Sequence, residues 1–373
     1  MNFELTEEQQ LIADSIERFV ADNYDLESRT AIVAKGGFSE DYWKQMAELG
    51  WLGMPFSEED GGFGGNQIDT MVMMEQFGKG LVLEPFLASV VLGAGALKRA
   101  GSAEQKAAWL PSVIDGTKQL ALAYMEAESG DEPHNVTVSG TPTGDGFKIN
   151  GIKCMVLQGG SADAFVVSFR TSGGTVDESG ITLALIPADR DGITVHGYPT
   201  VDGLQSSEIK FDGVEVSQDD ILGEVGEGFA ALNAAINDGI LAIAAEAVGA
   251  MEVLYKDTVA YTQEREQFDH PMSDFQVLQH RMVDMFVEYE QSKSMLFRAT
   301  MEVASGGEDA QRNVHALKHL IGKAAFFVGE NAVQTHGGMG VTEELRVGHY
   351  FKRLIVIEAQ FGNTDYHLER FAA

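Results

Sequence analysis

The sequence predicts an α+β fold of three parts: an N-terminal helical domain, a middle antiparallel β-barrel or sandwich, and a C-terminal four-helix bundle. Three observations carry this. The first ~115 residues show capped, 3.6-periodic apolar patterns. Four short β-rich runs, "AFVVSFR", "ITLALIP", "GITVHGY" and "SEIKFDGVEV", follow, separated by Gly, Asp and Pro. From about residue 226 the helical period returns, and residues 229–266 contain almost no breaker. The expected domains are therefore 1–117, 118–224 and 225–373.

Each element has a local reason. Thr6 and Gln9 fit a capping box, with Leu11, Ile12, Ile16, Phe19 and Val20 behind it on one face. Ser39 can cap "EDYWKQMAE", and Gly50 suits the stop after it. Helices are expected near 68–80, 86–100 and 102–115. In the C-terminal part, "FQVLQHRMVDMFVEYEQSKSMLFRATMEVA" and "NVHALKHLIGKAAFFVGENAVQTH" read as two further long helices, the latter closed by "GGMG".

Composition narrows the function. The formal charge of −31 disfavours nucleic acid and anionic membrane surfaces and keeps the chain soluble. No apolar run stands out as membrane-spanning, and "MNFELTEEQQ" lacks the pattern of a secretory signal. The single cysteine, Cys154, has no internal partner for a disulfide, so a cytoplasmic setting is expected. The nine histidines show no metal-ligand spacing.

Two stretches suggest a ligand. "QTHGGMG" (334–340) ends a helix, and glycines there can present backbone N–H groups to phosphate oxygens. "EREQFDHP" places Arg265 just past a long helix, with Phe268 available to lie against a ring. Arg is the preferred fork for a pyrophosphate, so the pair suits a dinucleotide. A plain helix cap and a solvated helix-end cation are the alternatives.

The chain also resembles the acyl-CoA dehydrogenase family along essentially its whole length. "ELGWLGMPFSEEDGGFGG" is similar to the family's N-terminal signature, and "DGFKINGIKCMVLQGGSADAFVV" to its β-domain segment. "REQFDHPMSDFQVLQHRMVDM" and "AVQTHGGMGVTEELRVGHYFKR" resemble its two C-terminal signatures. The resemblance implies FAD, an acyl-CoA thioester substrate, an oligomeric assembly and an electron-transfer flavoprotein as acceptor. In that chemistry a carboxylate removes the α-proton while the β-hydride passes to the flavin. Arg265, Gln267 and Phe268 match the family's Arg motif, with Met272 and Phe275 in register, and Gln334, Gly337 and Gly338 match its glycine loop. The resemblance implies that these residues reach an FAD held mainly by a neighbouring subunit.

Other family positions depart. The family's "TEPxAGSD" stands here as "MEAESGDE", so Met125 and Asp131 replace a flavin-contacting Thr and a phosphate-binding Ser. Its "WIT" stands as "MVL", with Met155 and Leu157 in place of Trp and Thr. Leu157 has no hydrogen-bond donor. Its "YEGT" stands as "QFGN", which puts Phe361 where the base would be, and the alternative base position is Gly239, next to Asp238. Asp238, Glu246, Glu358 and Asp365 are the acids left in the region, and no catalytic residue is assigned. The expectation is a non-catalytic or half-site subunit of a heteromeric enzyme, most simply an α2β2 heterotetramer with a homologous subunit. A self-sufficient homo-oligomer using a relocated acid such as Asp238, and a scaffold binding neither FAD nor CoA, remain open.

Overall fold

The computed structural model describes residues 5–373. It divides into two compact units, one formed by the segments through Ala31, Asn66–Val82 and Ile240–Ala373, the other by Ile32–Gly65 and Leu83–Gly239. The expected order holds, helices, then a β unit, then a helical bundle, but the sheet expected to be antiparallel is mixed.

The first unit is helical. Helix α1 (Glu7–Asn23) begins at Thr6, whose hydroxyl accepts from the Gln9 amide at 3.2 Å while the Gln9 side chain accepts from the Thr6 amide at 3.0 Å. This is the anticipated reciprocal cap. Helix α2 (Leu26–Lys35) follows, and α4 (Gln67–Gly80) opens on an equivalent box between Asn66 and Asp69. The Gln9 side-chain Nε2 then donates to Asp69 Oδ1 at 3.0 Å, joining the starts of α1 and α4. Helix α7 (Phe229–Glu264) crosses α4 at backbone contact. A Cβ on Gly78 would lie 2.0 Å from the Glu246 carbonyl oxygen, and one on Gly249 would lie 1.9 Å from that of Glu75.

The reading that no run has membrane-spanning length needs correction. An 18-residue window of α7 reaches a mean hydropathy of 1.4, but 83% of that window is buried inside the protein. A core helix needs the same composition as a membrane span because both are surrounded by apolar groups. Helix α8 (Gln276–Ala304), α9 (Ala310–His336), α10 (Arg346–Ala359) and α11 (Thr364–Ala372) complete the bundle, with α9 packed against α8, α10 and α11.

The second unit holds the sheet and three short helices, α3 (Glu40–Glu48), α5 (Ala94–Ala100) and α6 (Ala103–Ile114). Ser39 caps α3 as expected, accepting from the Tyr42 amide, and Gly50 takes φ +79 just beyond its end. The helix expected over 86–100 is divided: Phe86–Gly93 winds as a π-helix before α5 begins. Apart from Ser89 that run has no polar side chain, so no single apolar face fixes a 3.6 period. At its end Gly93 admits Leu120, which an added Cβ would meet at 2.7 Å.

The sheet comprises β1 (Leu120–Ala123), β2 (Ser139–Pro142), β3 (Gly146–Leu157), β4 (Ala164–Arg170), β5 (Ile181–Pro187), β6 (Ile193–Pro199), β7 (Gln205–Ser217) and β8 (Ile221–Leu222). Its order is β6-β7-β3-β2-β4-β5-β8, with β1 added alongside β4. Pairing is mainly antiparallel, but β1 and β4 run parallel. Ile149, Phe165, Val167, Phe169, Ile209 and Phe211 form the centre of its core. A register shift in the β3–β7 ladder between Lys153 and Val156 marks a bulge, and Met155 sits in it at φ +51.

Candidate functional site: the C-terminal ligand face and the β3 platform

The two C-terminal motifs meet at one end of the helical unit. Helix α7 ends at Glu264, and the chain turns through a two-residue hairpin in which Gln267 pairs with His270 and Glu266 with Pro271. Phe268 and Asp269 form the turn at φ +56 and +64, the conformations that a two-residue hairpin demands and that Gly and Asn usually supply. The turn lifts Phe268 into solvent, 86% exposed, with Phe275 edge-on at 6.2 Å. Arg265 is exposed at the hairpin's base, where its carbonyl accepts from the Met272 amide at 2.8 Å. Met272 and Phe275 are half-buried beneath.

Gln334 lies in the last turn of α9, exposed, and Gly337 terminates that helix at φ +61. Neither Gly337 nor Gly338 would bring an added Cβ within 4 Å of any atom, so the glycine backbone faces open space. His336 is buried, donates from Nδ1 to the Ala332 carbonyl at 2.8 Å, and stacks on Tyr261 at 4.2 Å between centroids. This stack links the last turns of α7 and α9. Beside the two joined helix ends stand an exposed guanidinium, an exposed phenyl ring, a carboxamide and uncovered glycine backbone. These groups suit the pyrophosphate end and a ring of a dinucleotide such as FAD.

The β platform is different. Its frame is a buried ion pair that the sequence reading missed. Lys153, fully buried, donates to the Glu126 carboxylate at 2.7 Å, the Tyr124 carbonyl at 2.9 Å and Ser168 Oγ at 3.0 Å. Glu126 also accepts from the Thr137 amide at 2.9 Å and from the Thr137 hydroxyl. Burial pushes the Lys153 ammonium down to about 8, against the pull of Glu126. Burial raises Glu126, but Lys153 and the Thr137 donors outweigh it and hold the carboxyl below its ordinary value. The Cys154 amide donates to the Met125 carbonyl at 2.9 Å. Positions 125 and 155 are thus held on a rigid frame, yet Met125, Met155 and Leu157 present only thioether and aliphatic surface. They offer a flavin ring apolar contact and no side-chain donor.

Three of the four acids weighed as bases are already engaged. Asp238 forms an ion pair with Arg99. Glu246 accepts both arms of Arg353, at 2.6 and 2.7 Å, with both side chains nearly solvent-free. Glu358 accepts from the Thr364 amide at 3.0 Å and hydroxyl at 2.9 Å. Asp365 is exposed in the first turn of α11. Phe361 itself is buried at φ +62. Among the described residues no group of three His, Cys, Asp or Glu side chains could hold a metal ion.

Sequence comparisons agree with this architecture. The N-terminal, middle and C-terminal domain families of acyl-CoA dehydrogenases match residues 6–117, 121–214 and 226–373. A probable acyl-CoA dehydrogenase of Bacillus subtilis, YngJ, is 29% identical over 374 residues, covering 98% of this chain and 97% of that protein. The structure of PigA with FAD and proline superposes with a TM-score of 0.93 at 29% identity, covering 100% of this chain and 98% of PigA. The ChsE4–ChsE5 complex of Mycobacterium tuberculosis gives 0.90 at 26% identity, with 100% and 98% covered. The chain belongs to the acyl-CoA dehydrogenase superfamily. Its class is that of FAD-dependent oxidoreductases, in which bound FAD supplies the hydride acceptor.

Proposed function

We propose that this chain is the non-catalytic or half-site subunit of a heteromeric acyl-CoA dehydrogenase, contributing to the FAD site of a homologous mate. The observation that carries this is the state of the acids: Phe361 stands at the position of the base, and Asp238, Glu246 and Glu358 are each tied to a structural partner. A phenyl ring cannot take a proton, and an α-proton abstraction without a positioned base loses about 10²–10⁴-fold. In this reading Arg265, Gln267, Phe268, Met272, Phe275, Gln334, Gly337 and Gly338 serve the mate's FAD. The mate supplies the glutamate and the main flavin pocket.

Further features support a partner. Val277, Val283, Phe286 and Val287 leave four exposed apolar side chains on α8, more than an isolated helix face carries at little cost. One structural neighbour is itself a complex of two named proteins, ChsE4 and ChsE5. The motifs also resemble those of the small subunit of pimeloyl-CoA dehydrogenase, and the reading includes an electron-transfer flavoprotein as acceptor and a cytoplasmic setting. The proposed modules are 1–117, 118–224 and 225–373. A second reading, in which the chain holds its own flavin, draws on the intact frame of Lys153 and Glu126 beneath Met125 and Met155.

The test is the FAD content of the purified protein. Expressed alone, the chain should carry well under one FAD. Expressed with its mate, the complex should be yellow, with about one FAD per pair of chains. Stoichiometric, tightly held FAD on the isolated chain overturns the proposal in favour of the second reading.

A further inference from the structure

A cleft of about 560 Å³ opens between α1, α4, α7 and α8, wholly inside the helical unit and sharing no residue with the proposed FAD contacts. That volume lies in the range of small-molecule sites. Its least exposed charges form two ion pairs. Lys293 Nζ lies 2.9 Å from the Glu75 carboxylate and donates to the Tyr289 hydroxyl at 3.3 Å, while Lys79 Nζ lies 3.1 Å from Glu252. Along the α1 side, Gln10, Asp14 and Glu17 form a stripe about 10 Å long at 1.5 Å per residue.

One polar group in the cleft is left over. Gln76 of α4 lines it and is only 9% exposed, yet its carboxamide makes no hydrogen bond among the described residues. A buried polar group of this kind calls for a partner. The charge is unbalanced as well. Four carboxylates, Asp14, Glu17, Glu75 and Glu252, meet two ammonium groups, Lys79 and Lys293, which leaves an excess of two negative charges. The excess sits on α1. The Asp14 carboxylate accepts from Gln10 Nε2 at 2.7 Å, and neither it nor Glu17 has an ion-pair partner among the described residues. The two acids are one helical turn apart, where like charges weaken a helix. Among the described residues no three acids, histidines or cysteines are grouped to hold a metal ion, so the cleft suits an extended organic cation.

We propose that this cleft binds an aliphatic polyamine. Its ammonium groups, set apart by methylene chains, pair with Asp14 and Glu17, and one N–H donates to the Gln76 carboxamide oxygen. The methylenes lie against Val72 and Phe297, which also line the cleft. Lys79 and Lys293 do not oppose the ligand, because Glu252 and Glu75 already balance them. The bound cation relieves the repulsion between Asp14 and Glu17 and ties α1 to α4 and α8. A ligand held only by the folded chain raises its melting temperature as the ligand concentration rises.

The experiment is calorimetric titration of the purified protein, with its mate where one copurifies, using spermidine and Mg²⁺ as probes at fixed ionic strength. Wild type is compared with Gln76→Met and with the double variant Asp14→Asn/Glu17→Gln, whose exposed positions keep the test open should Gln76→Met fold poorly. A third protein, Glu178→Gln/Asp191→Asn, loses the same charge from exposed positions on the sheet unit. The expected result is saturable spermidine binding, weakened about tenfold or more by each change in the cleft. The sheet-unit variant should bind spermidine as wild type does, and Mg²⁺ should bind far more weakly. Four outcomes overturn the proposal: no saturable binding, unchanged affinity in both cleft variants, an equal loss in the sheet-unit variant, or equal affinity for Mg²⁺. The last two mark counter-ion adsorption on an acidic chain.

Discussion

Tyr261 and His336 stack with ring centroids 4.2 Å apart and planes inclined by 27°. The two residues are 75 positions apart in the chain, yet each lies within four residues of a proposed FAD contact: Arg265 on one side, Gln334 on the other. The stack therefore sets the spacing of the guanidinium and the glycine backbone, and buried aromatic packing of this kind holds geometry well.

Arg265→Ala should weaken FAD binding to the assembled complex. Removing a charge-assisted contact to a pyrophosphate costs roughly 1.5–3 kcal/mol, or about 10- to 150-fold in affinity. Gly338→Val should act similarly by covering open backbone. Neither residue is in the core, so circular dichroism should report an unchanged fold. FAD titration into apo-complex makes the measurement, and unchanged affinity with Arg265→Ala would bring the scaffold reading forward.

Asp238→Asn should leave the complex's activity within a few-fold, because the carboxylate is engaged with Arg99. Phe361→Glu alone should not produce a dehydrogenase, since Met125, Met155 and Leu157 still offer the flavin no donor. Steady-state rates test both, and a ~10³-fold loss on Asp238→Asn would point to a relocated base.

Acid should loosen the α10–α11 junction. His367 is buried beside Lys318, His315 and His319, and burial first, then these neighbours, push it down to about 3. The hydrogen bonds assign its protonation: Gln311 donates to His315 Nε2, His315 Nδ1 donates to His367 Nδ1, and His367 Nε2 donates to the Phe361 carbonyl. The unfolded chain takes up a proton near 6.5 that the folded chain refuses. Stability from this group is thus complete above 6.5 and lost as pH falls toward 3, by about 2 kcal/mol at pH 5. His367→Gln keeps a donor without the titration, so its unfolding at pH 5 should bind about one proton fewer than wild type. An identical pH dependence of denaturant midpoints in both proteins would contradict this.

Lys153→Met should destabilise the chain by about 3–5 kcal/mol, because it leaves the buried Glu126 without its counter-charge. Adding Glu126→Gln should recover much of that loss. Denaturant unfolding of the two single variants and the double variant checks it. Additive losses would mean that the pair is not coupled.

Local signals were legible where short-range chemistry decides. The Thr6 and Ser39 caps follow from a few consecutive residues, and the long helices follow from unbroken periodicity. The π-helical winding of Phe86–Gly93 was not legible, since a run apolar but for Ser89 carries no period. Nor were the ion pairs Lys153–Glu126, Arg353–Glu246 and Arg99–Asp238, whose partners lie 27, 107 and 139 positions apart. Nothing in the sequence of α9 marks Lys318, and only the fold reveals the two carbonyls that it reaches. The candidate ligand face was visible as two motifs, but the stack that joins them was not.

Helix α7 has a consequence for how the chain is made. Its apolar surface is suited to a lipid interior, and much of what covers it arrives late: Tyr289 packs on Tyr255, while Arg353 and Arg346 reach Glu246 and Asp257 from α10. Helix α7 ends at residue 264 and α10 at residue 359, so 95 residues separate them. At about 5–20 residues per second, that interval lasts roughly 5–20 s on the ribosome. For those seconds a nascent chain displays a membrane-like helix to the cell, and chaperones or a co-translated mate that shelters it would raise the yield of folded protein.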